Sequence, residues 1–355
     1  MAKLKYALAG GTILVLAIVA AVFNPTANVW LFRQASLQAA GWKDTELAKP
    51  NELSLLVCGS GSPLPDPTRA GPCALVAAGD RYFLIDAGLG SMRNLRMWRV
   101  PLEKIEGVFI THFHSDHIAE LGEVRLQTWI SGRKSHLPVY GPTGIQQVVD
   151  GFENAYALDT SYRTAHHGEA LLSPDVAPLL AVEIGETGSE AVLPQGGGLR
   201  VKPILVEHHP VDPAFGFRFN FMDRSVTISG DTARSDHLAE AAKNTDILLH
   251  EALSPELVGM LEKATEVSNR PRVAKVMSDI PDYHTSPVAA AEIANEANAR
   301  LLVLTHLVPV LPNGIAERAF FYGVSDIRDD VHLARDGDLF VMPEGTDTIR
   351  HRELD

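Results

Sequence analysis

Four side chains able to hold a metal stand within six residues, at His112-Phe113-His114-Ser115-Asp116-His117. They follow the apolar run Gly107-Val108-Phe109-Ile110, which reads as a short buried strand. Imidazole suits zinc, iron and similar ions, and a carboxylate completes or bridges such a site. In an extended segment alternate residues share a side, so His112, His114 and Asp116 can converge. His117 then opens an apolar stretch, Ile118 to Ile130, that reads as a helix and turns away from the first pair. The spacing therefore suits two neighbouring ions better than one.

Other polar groups sit at the ends of apolar strands in the same way. Val108–His112 and Leu302–His306 both end in Thr-His, and Thr227–Asp231 and Ile247–Glu251 follow the same plan. Strands with polar groups at one end deliver them to one edge of a layered sheet, where α/β sites lie. The elements expected to position them are strands at Leu53–Cys58, Ala74–Ala78, Tyr82–Ile85, Leu199–Val206, Phe215–Phe221, Ser225–Ser229, Asp246–Leu249 and Leu301–Leu304. Helices are expected from near Ser91, from Pro142-Thr143-Gly144 to near Asp159, over Arg234–Lys243 and over Pro287–Ala297. Helices between strands indicate an α/β fold with sheets covered by helices.

His112-Phe113-His114-Ser115-Asp116-His117 resembles the His-x-His-x-Asp-His signature of the metallo-β-lactamase superfamily. Pro213–Phe217, Ser229–Thr232, His250-Glu251-Ala252, Tyr283–Ser286 and Leu304-Thr305-His306 resemble its ribonuclease Z and bacterial arylsulfatase-like branch. The resemblance runs in order from about Leu53 to about Pro309. It implies a four-layer αββα sandwich of two pseudo-equivalent halves. It implies one metal on His112, His114 and His208, a second on Asp116, His117 and His306, and Asp231 bridging both. His208 is preferred to His209 because Val206–Val211 fits the family pattern that way. Two divalent ions are implied, zinc first, although manganese and iron accept the same ligands. They would share a hydroxide that attacks an ester. Asp116 would orient it and take its proton, and His284 would protonate the leaving group, oriented by Glu251. Asp86 is expected to brace the ligand loop. His250 reads equally well as a satisfied core residue, and His136, His166, His167, His237, His332 and His351 read as surface or loop residues.

The chain has 355 residues, 46% of them hydrophobic, and a formal net charge of −13. That acidity argues against nucleic acid as the main partner, although a local basic patch is compatible with it. Met1-Ala2-Lys3-Leu4-Lys5 is a basic head, and Tyr6 to Phe23 carries no charge. As a helix that run would extend about 27 Å, between a signal-peptide core and a spanning anchor. Residues 1–23 are therefore expected to export the chain, either cleaved or retained as a membrane anchor, with the remainder outside the cytoplasm. The two cysteines, Cys58 and Cys73, are either a disulfide or a pair of buried thiols. Residues 24–50 read as a linker with weak helical character. Residues 51–355 read as the hydrolase domain, with insertions at about 161–198 and 253–282, the latter a helical lid.

The expected activity is hydrolysis of small esters of the aryl sulfate or phosphodiester type, favoured by export, acidity and the Pro-rich turn around Pro63. The alternative is a ribonuclease Z-like endonuclease for transfer RNA 3′ processing. Against it stands the short His208–Asp231 interval, where ribonuclease Z carries a long basic arm. Lactonase activity and a non-catalytic metal-binding role are further alternatives. The expected partner is a small-molecule ester, and the oligomeric state is open.

Overall fold

The computed structural model describes residues 23–41, 43–185 and 193–354. Of the export segment read at residues 1–23, residues 1–22 lie outside them. The chain divides into two units, Met1–Asp44 and Thr45–Asp355. In the first unit, helix α1 (Pro25–Ala40) begins with proline at its first turn, and the Asn24 side chain accepts from the N–H groups of Thr26 and Ala27. It has no buried residue. Among the described residues no helix is long and apolar enough to cross a membrane.

The second unit is built on two sheets. The described strands of the first run in the order β15 (Arg350–Glu353), β14 (Asp338–Pro343), β1 (Glu52–Gly59), β2 (Cys73–Ala78), β3 (Arg81–Ile85), β4 (Ile105–Phe109), β5 (Leu137–Gly141), β6 (Leu179–Glu183). Those of the second run β13 (Val331–Leu333), β12 (Leu301–Val308), β11 (Ile247–Leu253), β10 (Arg224–Ile228), β9 (Ala214–Phe221), β8 (Leu199–Val206), β7 (Gln195–Gly196). Strands β1 and β2 are buried on both faces, so they read as continuous apolar runs. Alternation still sorts their side chains. Leu53, Leu55 and Val57 join the core between the sheets, while Leu56 and Cys58 face the core under the first helical layer. Phe83, Phe109, Phe215, Phe217 and Phe219 fill the inter-sheet core, with the Phe109 ring 5.1 Å from Phe217 and 5.3 Å from Phe219. Each such buried ring contributes roughly 1.5–3 kcal/mol of apolar burial.

Helices cover both outer faces. Helices α2 (Ser91–Met97), α4 (Leu121–Ile130) and α5 (Ile145–His167) bury Leu95, Val124 and Val149 against the first sheet. Between α2 and α4 the single turn α3 (Ser115–Ile118) carries Asp116 and His117. Helices α6 (Asp236–Ala241) and α9 (Pro287–Glu296) cover the second sheet through Ala239, Ala290 and Ile293. This is the four-layer αββα arrangement. Residues 253–282 form two helices, α7 (Pro255–Val267) and α8 (Pro271–Asp279). The stretch expected as an insertion at 161–198 instead supplies the end of α5, the edge strand β6, and β7.

Cys58 and Cys73 form a disulfide that joins β1 to β2. Of the two readings of these cysteines, the paired one is the observed one. The disulfide closes the loop Gly59–Pro72, which the half-buried Asp336 also pins. Its Oδ1 accepts the Ser60 N–H at 2.9 Å, and its Oδ2 accepts the Ala70 N–H at 2.6 Å and the Asn94 side-chain N–H at 2.9 Å.

Candidate metal centre

Strands β10, β11 and β12 are parallel, and β8 runs with them across the intervening β9. Their carboxyl ends therefore share one edge. His208 follows β8, Asp231 follows β10, Glu251 lies near the end of β11 and His306 near the end of β12. The loop after β4 brings His112, His114, Asp116 and His117 from the other sheet to the same edge. Gly230 has φ +62°, and a Cβ there would lie 2.5 Å from the Phe215 carbonyl oxygen, so only glycine lets the chain turn Asp231 into the centre.

The seven side chains form two sets around one shared oxygen. His112, His114, His208 and Asp231 each offer a ligand atom, all within 4.8 Å of one another, and Asp116, His117 and His306 do the same. Asp231 Oδ2 lies 3.3 Å from His117 Nε2, 3.3 Å from His306 Nε2 and 3.8 Å from His112 Nε2. It is the atom that faces both sets.

Two observations test whether these groups fit cations. His114 Nδ1 lies 2.9 Å from His112 Nε2 and 3.3 Å from His208 Nε2, so lone-pair nitrogens converge on one point. His117 Nε2 is buried and unbonded among the described residues, aimed at the same centre. The electrostatics agree. Burial holds His112 well below the usual histidine range, and it lowers His114 and His208 as well, so all three are neutral and ready to ligate. Burial alone would also lower His117, but the carboxylates of Asp231 and Asp86 carry it well above that range. Burial opposes charge on Asp231 too, and His306 and His117 outweigh it, holding its carboxyl well below the usual carboxylate range. A dense group of carboxylates and imidazoles with these demands fits two divalent ions.

The supporting groups fix the ligands. Asp86 Oδ2 accepts from His117 Nδ1 at 2.7 Å, and its Oδ1 accepts the Thr111 N–H at 2.9 Å. Thr111 Oγ1 lies 3.0 Å from His112 Nδ1, and the Tyr283 carbonyl 3.0 Å from His208 Nδ1. Asp86 and His306 have φ of 59° and 47°, a region non-glycine residues rarely occupy, so one support and one candidate ligand sit on strained backbone.

His284 lies outside the two sets but forms a group of its own with Asp231 and His306, ligand atoms within 4.8 Å, and its ring centroid is 5.4 Å from those of His208 and His306. Its Nδ1 faces Glu251 Oε1 at 3.2 Å. That same oxygen accepts the Thr285 N–H at 2.8 Å and the Thr232 N–H at 3.3 Å, so Glu251 is itself held. Burial would lower His284, but the Glu251 carboxylate dominates and raises it to about 9. His250 is buried with Nδ1 2.7 Å from the Glu251 carbonyl oxygen and joins no ligand set, while His209 is exposed. Asp336 and the Thr111 hydroxyl escaped the sequence reading. Their only signals are the Asp336-Gly337-Asp338 turn and the position of Thr111 before the first ligand.

Residues 81–307 match the beta-lactamase superfamily domain. A protein of Mycobacterium bovis (strain BCG / Pasteur 1173P2) named Ribonuclease Z is 36% identical over 290 residues, covering 79% of this chain and 97% of its own length. The chain belongs to the metallo-β-lactamase superfamily, on its ribonuclease Z branch. A second Ribonuclease Z, of Mycolicibacterium paratuberculosis, is 35% identical over 79% of this chain and 96% of its own length. Among solved structures, the short form of human tRNase Z superposes with a TM-score of 0.57 at 22% identity, covering 81% of this chain and 98% of that one. A metallo-β-lactamase-fold protein of Bacillus subtilis superposes with a TM-score of 0.58 at 20% identity, covering 82% and 100%. These two likenesses show the fold. Membership in the superfamily supports a metal-dependent hydrolase, and the seven side chains are candidate metal ligands.

The comparisons correct two expectations. Small aryl esters were the expected substrates, and nucleic acid was set aside, on net charge and on the short interval between His208 and Asp231. That interval is the β9–β10 hairpin. The M. bovis Ribonuclease Z aligns along 97% of its length, leaving little of that relative outside the match, so the missing arm does not separate this chain from the ribonuclease Z branch. Net charge averages over the whole surface and says little about a single groove. One groove of about 740 Å³ borders Asp116 and carries Arg69 and Arg93 on its wall.

Proposed function

We propose that the chain is a ribonuclease Z-like endonuclease that hydrolyses an RNA phosphodiester at transfer RNA 3′ ends. The observation that carries the reading is identity of 36% along nearly the whole of a relative named Ribonuclease Z. The convergence of seven ligand side chains with His284 and Glu251 supports it.

Divalent ions held by His112, His114, His208, Asp231, Asp116, His117 and His306 would stabilise charge on the phosphoryl oxygens and provide a nucleophile competent at neutral pH. The remaining work falls to side chains. Burial pushes the Asp116 carboxyl up, but His306 and His117 outweigh it and hold it below the usual range, so Asp116 is ionised and able to accept the nucleophile's proton. Glu251 holds Nδ1 of His284, which leaves Nε2 for a substrate oxygen. As an imidazolium, His284 donates its proton to the leaving oxygen. The Gly59–Pro72 loop and Asp116 line one groove, so RNA entering beside Arg69 and Arg93 meets the reacting groups.

Incubating metal-loaded protein with a precursor transfer RNA and with bis(4-nitrophenyl) phosphate tests this. The expected result is a single cut near the 3′ end of the folded RNA. Turnover of the small probe with intact RNA would overturn the reading.

We propose as a second reading, one that competes with the first because precursor transfer RNA is found inside the cell, that the domain works outside the cytoplasm. The basic head before an uncharged run and the Cys58–Cys73 disulfide support this, since disulfides persist in oxidising compartments. A C-terminal reporter active only in the cytoplasm should stay silent, and signal from it would contradict export.

A further inference from the structure

His332, Asp338 and His351 meet as a group separate from the seven ligands, each offering one ligand atom within 4.8 Å of the others. His332 lies on β13 of the second sheet, and Asp338 and His351 lie on β14 and β15 of the first. Register explains the meeting. Asp338 and Phe340 share a face of β14 because they are two residues apart, and His351 pairs directly with Phe340. Phe340 belongs to the inter-sheet core and forms an apolar floor, its ring 4.8 Å from His351 and 5.3 Å from His332.

The charge balance of this cluster is incomplete. Asp338 has no exposed surface. Its Oδ2 lies 2.7 Å from His332 Nε2 and its Oδ1 2.6 Å from His351 Nε2. Arg335 gives Oδ2 only its backbone N–H, while its guanidinium pairs with Glu317. The partners of Asp338 are two imidazoles and one backbone N–H, and a buried carboxylate is costly without a cation. Both histidines remain about one-third exposed, which leaves an open side for an ion to enter.

We infer that His332, Asp338 and His351 form a further zinc site, separate from the dinuclear centre, that clasps the two sheets together at this edge. Two imidazoles and one carboxylate with a position left for water are a ligand set zinc accepts. Ligand atoms around a tetrahedral zinc with bonds of about 2.0–2.1 Å stand about 3.3 Å apart. The two rings therefore need to swing outward by well under one ångström. The dinuclear centre shows the same compression, with 2.9 Å between His112 Nε2 and His114 Nδ1. The alternative is a hydrogen-bonded clasp that holds protons only.

Elemental analysis after dialysis against buffered free zinc separates the two. Wild type should retain one more zinc per chain than the double variant His332→Ala/His351→Ala, with turnover unchanged because neither residue touches the catalytic groups. The same difference should persist on an Asp231→Ala background, so that failure of the dinuclear reading does not disturb the count. Anomalous scattering from zinc-treated wild-type crystals, which requires no variant to fold, should place a peak between the three side chains. Equal zinc in wild type and double variant, or no peak there, overturns the proposal.

Discussion

Asp86 Oδ2 stands 2.7 Å from His117 Nδ1, and both side chains are buried. Asp86 thereby fixes which nitrogen of His117 faces Asp231. A carboxylate behind a ligand histidine orients the ring and raises its basicity, and losing it typically costs 10–100-fold in metal affinity. Asp86→Ala is expected to weaken zinc binding by about that factor, read by competition with a chromogenic chelator. Unchanged affinity would show that Asp86 only supports the turn at Thr111.

Glu251 sets the protonation of His284. An acid must be protonated to act, so activity falls as pH rises through the pKa of His284. Removing the carboxylate leaves burial, which lowers that pKa from its raised value of about 9. Glu251→Gln is therefore expected to move the alkaline limb of kcat/KM to lower pH. A limb that stays in place would assign it to another group.

His284 is expected to serve the chemistry without holding an ion. His284→Ala should keep its full metal content while losing about 10²–10⁴-fold in turnover on RNA, the usual worth of a positioned acid. With a leaving group as acidic as 4-nitrophenol the loss should shrink. Parallel dependence on leaving-group acidity in wild type and variant would rule out proton donation.

The disulfide joins Cys58 and Cys73, which are 15 positions apart in the sequence. In the chain-entropy account a loop of that size is stabilised by about 3 kcal/mol. The double variant Cys58→Ser/Cys73→Ser should unfold in urea at a lower midpoint and become insensitive to reductant. Equal midpoints for wild type with and without reductant would contradict the assignment.

The centre was legible in the sequence because its groups sit at the ends of buried strands, where apolar runs make the interruption by His112, Asp231, Glu251 and His306 conspicuous. Strands β13 and β15 were not legible. The first is three residues long, and all four residues of Arg350–Glu353 are exposed, so neither has an apolar period. Strand β5 contains Pro138, which argues against a strand locally, although the sheet tolerates it. Helix α5 runs past Asp159 to His167 because Thr164 Oγ1 and Trp129 Nε1 donate to the backbone of the turn at Leu172 and Ser173, docking the last helical turns. The substrate was misread for a different reason. Formal charge counts every surface residue, whereas the proposed RNA substrate would meet one groove.

Asp231 Oδ2 lies within 3.8 Å of His112, His117 and His306, so on the proposed reading metal binding and RNA cleavage fail together when Asp231 is lost. Precursor transfer RNA should be cut by zinc-loaded wild type, spared after chelation and cut again after zinc is restored. Asp231→Ala should bind at most one ion loosely and lose several orders of magnitude in rate. Full RNA cleavage by the Asp231→Ala protein, or by wild type stripped of metal, would contradict the two-metal ribonuclease reading.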